Sequence, residues 1–108
     1  MSQERLRQLF GFLKEEPNDP FTLYAIALEY QKEDAEKALP YFEKLLNEHP
    51  DYVATYYHAA HLYQDLEMKD KVEQTYLTGI EKAKSQQESL ALRELQNAYN
   101  QYLFEEED

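Results

Sequence analysis

Leu23-Tyr24-Ala25-Ile26-Ala27-Leu28-Glu29-Tyr30 carries large residues at Leu23, Ile26 and Tyr30 and a small one at Ala27. That spacing puts all four on one side of a helix. Thirty-three residues further on, Tyr56, Ala59, Ala60 and Tyr63 repeat the order large, apolar, small, tyrosine. Leu92, Leu95, Gln96 and Tyr99 make a weaker third copy, about one turn late. An internal period in the thirties means stacked copies of one unit, not a unique globule.

The rest of the chain fits helices placed around these copies. Leu6, Leu9, Phe10 and Leu13 recur at i, i+3, i+4 and i+7, an amphipathic stripe that predicts a helix over 2–15, capped by Ser2. Phe12 falls outside the stripe. Pro17-Asn18-Asp19-Pro20 is a stop and turn, with Asp19 or Thr22 as cap and Pro20 suited to the first position of a helix over 20–32. Asp34 caps a third helix, over 35–48, with Ala38, Leu39, Phe42, Leu45 and Leu46 apolar. Pro40 falls beyond its first turn, which predicts a local bend or loosened turn with Pro40 on the outer face. His49-Pro50-Asp51 leads into a fourth helix, 52–66. A fifth, 69–84, opens near Asp70 and turns Val72, Tyr76, Gly79, Ile80 and Ala83 inward. The sixth, 88–104, carries Leu92, Leu95, Tyr99, Tyr102 and Leu103. Glu105-Glu106-Glu107-Asp108 reads as a frayed acidic tail, because carboxylates repel the negative end of a helix dipole.

Composition narrows the function classes. The 108 residues suit one domain, and a chain with 2 glycines and 4 prolines does not suit an all-β fold of many tight turns. A formal net charge of −11 argues against nucleic acid and anionic membrane surfaces. Without cysteine, thiol catalysis, thiolate metal sites and disulfides are excluded. No apolar run is long enough to span a bilayer. Met1 to Lys14 mixes Glu4, Arg5 and Arg7 into its apolar residues, unlike a signal peptide, so a cytoplasmic location is expected.

The helices pair. Ala38, Phe42 and Leu45 align with Val72, Tyr76 and Gly79 at an offset of 34, while the preceding helices align at 33. The first copy is therefore one residue shorter, in the Lys32–Asp34 turn. This pattern resembles the tetratricopeptide repeat: large residue, small residue, tyrosine, then alanine, an aromatic and proline. Residues 20–50 match as Leu23, Ile26, Ala27, Tyr30, Ala38, Phe42 and Pro50. Residues 53–84 match as Tyr56, Ala59, Ala60, Tyr63, Val72 and Tyr76, with Lys84 in place of proline. The resemblance implies an all-α helical-repeat solenoid of six antiparallel helices in a single domain, 1–108. Residues 1–17 are a half-repeat, 18–50 and 51–84 two full repeats, 85–104 a capping helix and 105–108 the acidic tail. Gln96, in place of a small residue, suits a cap with a polar outer face.

The resemblance also implies a concave groove lined by the first helix of each pair. Tyr24 and Leu28, then Tyr57 and His61, then Arg93 and Asn97 take the groove positions, with His58 beside them. Such a row suits an extended peptide or a helix, aromatic faces supplying area and amides hydrogen bonds. Family members that clamp a partner's C-terminal carboxylate use Lys, Asn and Arg where this chain has Tyr24, Leu28, His58, Leu90 and Glu94. A carboxylate clamp is not implied, and the negative charge favours an apolar or basic segment. The expected function is non-catalytic protein binding, with no cofactor.

Two other readings stand beside it. Phe10 and Phe12 cannot both face inward, so an exposed apolar patch could support a homodimer. His58, His61 and Asp65 share one helix face, the spacing of a metal or enzymatic site, but no zincin-type Glu or second ligand helix accompanies them. The remaining polar clusters read as structure. His49 favours the dipole at a helix end, and Glu15-Glu16 and Glu33-Asp34 lie at solvated turns.

Overall fold

The computed structural model describes residues 2–107, apart from the side chain of Ser2, so the cap expected there lies outside the described residues. Six helices are present among them: α1 (Ser2–Glu15), α2 (Pro20–Glu33), α3 (Ala35–Glu48), α4 (Ala54–Asp65), α5 (Lys69–Ser85) and α6 (Ser89–Glu106). The fold is an all-α helical repeat. Its contacts divide the chain into two compact units, one ending at Tyr52 and the other beginning at Val53.

In the first unit α2 packs on both α1 and α3. The repeat residues Leu23, Ile26 and Ala27 are buried on α2, as are Ala38, Phe42 and Leu45 on α3. Tyr30 remains half-buried and meets Phe10 of α1 at 6.4 Å and Tyr41 of α3 at 5.8 Å between ring centres. Phe10 and Tyr41 are themselves 6.3 Å apart. This aromatic triangle, in tilted geometry favourable to ring quadrupoles, joins the three helices. Buried Glu29 accepts from Arg5 of α1 at 3.2 Å and from Lys32 at 3.3 Å.

Asp19 caps α2, its carboxylate accepting from the Thr22 amide at 3.2 Å and the Thr22 hydroxyl at 2.7 Å. A single residue, Asp34, joins α2 to α3. Its amide donates to the Tyr30 carbonyl, closing α2, and its carboxylate accepts from the Glu36 and Lys37 amides, opening α3. Its extended backbone, φ −152°, makes the reversal without a left-handed residue. Pro40 is exposed within α3, which continues to Glu48.

In the second unit α4, α5 and α6 each touch the other two. Tyr56, Ala59, Ala60 and Tyr63 are buried on α4, Val72, Tyr76 and Ala83 on α5, and Leu95 on α6. Here the helix turns are built differently. Glu67 has φ 58°, and the amides of Glu67 and Met68 donate to the carbonyls of Gln64 and Tyr63. Gln87, φ 59°, repeats the device with Gln87 and Glu88 donating to Lys84 and Ala83. Both are Schellman motifs, and both put a residue other than glycine in the left-handed position.

Two boundaries differ from the sequence reading by two residues, and four others by one. The fourth helix starts at Ala54, not 52, because the Tyr52 amide is held by the His49 carbonyl in a preceding turn. The sixth helix extends through Glu105 and Glu106, which the sequence assigned to the tail. Lys69 lies 3.5 Å from Glu106, and Gln101 donates to Glu105 at 3.0 Å, which offsets the unfavourable dipole.

Candidate functional site

On α4 of the second unit, Tyr57, His58 and His61 come together. They are half-buried neighbours on one helix, flanking the inward positions Tyr56, Ala59 and Ala60. The Tyr57 ring centre lies 4.6 Å from His61 and 5.3 Å from His58. His61 meets the edge of Tyr76 at 6.4 Å, and Tyr76 meets Tyr99 at 5.8 Å and Tyr102 at 6.3 Å. The rings thus run from the α4 face through α5 to α6.

Two hydrogen bonds hold the inner part of this run. The Tyr76 hydroxyl donates to Gln64 Oε1 at 2.9 Å, and the Tyr99 hydroxyl to Glu73 Oε2 at 2.8 Å. Burial, then the nearby Tyr57, Glu105 and Tyr102, push the Tyr76 phenol up to about 12. Both histidines move the other way. Burial, then the neighbouring His61, lowers His58 below the ordinary histidine value, opposed by Glu94. Burial lowers His61 as well, opposed by Asp65 and Glu105. At neutral pH both imidazoles are therefore uncharged. His61 Nε2 is buried without a hydrogen-bond partner. The result is a neutral aromatic surface near the carboxylates Asp65, Glu94 and Glu105.

Arg93 and Asn97 are exposed on α6. In the first unit, Tyr24 and Leu28 are half-buried on α2, and the Tyr24 ring meets the edge of Tyr52 at 5.6 Å. Sequence reasoning did not place Tyr76 and Glu105 beside His61, or Tyr102 against Tyr76. Glu105 was read as part of a tail, and only the extension of α6 brings it within electrostatic reach of His61.

Among the described residues no group of three His, Asp or Glu side chains is arranged to hold a metal ion, so His58, His61 and Asp65 do not form a ligand set. Among the same residues no helix is long and apolar enough to cross a membrane.

No family model matches the chain, and no curated protein matches it. Solved structures do. The chain is 46% identical to a tetratricopeptide repeat domain protein from Salinibacter ruber known from a solution NMR structure. That match has a TM-score of 0.73 and covers 79% of this chain and 87% of the other. A crystal structure of a tetratricopeptide repeat domain protein from the same organism also matches at 46% identity. Its TM-score is 0.74, over 78% of this chain and 94% of the other. With helix pairs repeating at the offset read from the sequence, this chain belongs to the tetratricopeptide repeat family.

Proposed function

We propose that the protein is a non-catalytic interaction module and that the α4 face around Tyr57 binds a segment of a partner protein. The observation that carries this reading is the half-buried Tyr57 ring set against two imidazoles that burial keeps neutral. A rigid aromatic surface of this kind contributes contact area at low entropic cost. Asp65, Glu94 and Glu105 supply negative charge near it, which favours an apolar segment flanked by lysine or arginine. Arg93 and Asn97 add donors on α6, and Tyr24 and Leu28 hold the equivalent repeat positions in the first unit.

Selection of peptides on the wild-type chain from a display library tests this reading. Selected peptides should be apolar with basic flanks. Tyr57→Ala should weaken their binding by roughly tenfold or more, the scale of an aromatic anchor, and His61→Ala should weaken it as well. Peptides whose affinity ignores both substitutions would refute the assignment.

A further inference from the structure

We propose that the first unit carries a second docking groove, and that its occupant is the C-terminal end of α6 from another copy of this chain. The groove, about 820 Å³, has Phe10, Leu13 and Tyr41 among its apolar lining and Arg7, Lys14 and Lys44 around it. It lies between α1 and α3, which meet there through the Phe10 and Tyr41 rings. The charge distribution is its unusual feature. The chain has 22 acidic and 11 basic side chains, yet three cations and no carboxylate line this groove. Its complement is an apolar anchor followed by carboxylates.

The end of α6 has that composition. Phe104 is 72% exposed and Leu103 is 40% exposed, and Glu105, Glu106 and Glu107 follow directly. An exposed phenylalanine at the end of a surface helix gains by burial in an apolar groove, while the glutamates meet the cations. Arg7 already pairs with Glu4 at 3.4 Å and Lys44 with Glu48 at 3.2 Å. Exposed pairs of this kind are weak, so incoming carboxylates displace them at little cost. Two chains of charge −11 repel at long range. About 0.15 M salt screens that repulsion beyond roughly 8 Å and leaves the close contacts standing. The contact joins two different surfaces, so it is heterologous. The groove itself shares no residue with the α4 face, and the variants below leave Tyr57, His58, His61 and Glu105 unchanged, so either assignment can fail without the other.

The test is sedimentation velocity of the full chain in about 0.15 M salt, for wild type, Phe104→Ser and the double variant Lys14→Glu/Lys44→Glu. These positions are exposed or at the groove margin, and circular dichroism checks that each variant folds. Wild type should associate as concentration rises, and each variant should associate at least roughly tenfold more weakly. An equimolar mixture of the two variants should recover a heterodimer, since each keeps the half the other lost. A labelled peptide of residues 96–107 should bind Phe104→Ser and lose affinity for the lysine double variant. Wild type that stays monomeric, or association unchanged by either variant, overturns the proposal. So does equal binding of a scrambled acidic peptide by a monomeric chain, which would assign the groove to a foreign segment.

Discussion

Tyr56 on α4 and Gly79 on α5 approach so closely that a methyl group at position 79 would fall 2.5 Å from the Tyr56 Cβ and 2.8 Å from its Cγ. The corresponding repeat positions in the first unit are Leu23 and Leu45, both fully buried. One helix pair therefore uses two medium side chains where the other uses a large one against none. The size of residue 79 is set by its neighbour and not by helix propensity.

Gly79→Ala tests this directly. Propensity alone favours alanine by about 1 kcal/mol, but the methyl meets the root of a side chain, which cannot swing aside, and overpacking costs about 1–3 kcal/mol. We expect a net loss of up to about 2 kcal/mol in denaturant unfolding. Gly11, the other glycine, is the control: a Cβ there meets nothing within 4 Å. Gly11→Ala should stabilise by about 1 kcal/mol. The same sign at both positions would refute the account.

Gln87→Gly should stabilise the chain by about 0.5–1 kcal/mol. Gln87 is exposed, sits at φ 59° and closes the α5–α6 turn. A left-handed residue with a Cβ is strained, and glycine removes the strain. A thermal melt shifted upward by a few degrees is the expected readout. An unchanged or lower midpoint would show that this turn carries no such strain.

Thr55→Val should be neutral or stabilising by up to about 1 kcal/mol. The Thr55 side chain is fully buried and its hydroxyl has no hydrogen-bond partner, so removing it relieves a desolvation cost without changing the branched shape. A clear loss of stability would reveal a bond that the hydroxyl makes.

Acid should weaken the second unit through its histidines. His58 and His61 are both lowered in the folded state, so below the unfolded value near 6.5 the unfolded chain binds more protons. Stability from these groups is present above that pH and is lost as pH falls through their folded values. His61→Gln should flatten the dependence of unfolding free energy on pH below about 6.5. Because the same protonation charges the face around Tyr57, binding of a basic-flanked peptide should also weaken in that range.

Six helices were legible because each carries an apolar stripe, and the two pairs because Leu23, Ile26, Ala27 and Tyr30 reappear at a fixed offset. Asp19 and Asp34 were legible as caps because side-chain capping is local chemistry. The α4–α5 and α5–α6 turns carried no such mark. Glu67 and Gln87 occupy positions where glycine is the usual signal.

The one-residue difference between the repeats shows where the boundary lies. From the sequence alone follow the deletion and its place, the turn around Lys32–Asp34. The tertiary structure shows why it is tolerated: Asp34 ends one helix and caps the next, while the other repeat spends Leu66, Glu67 and Met68 on a left-handed turn. Periodicity and capping act over a few residues and can be read along the chain. The neutral histidines, the closeness of Tyr56 to Gly79 and the nearness of Glu105 to His61 depend on burial and on side chains distant in sequence. Those were decided only when the helices packed.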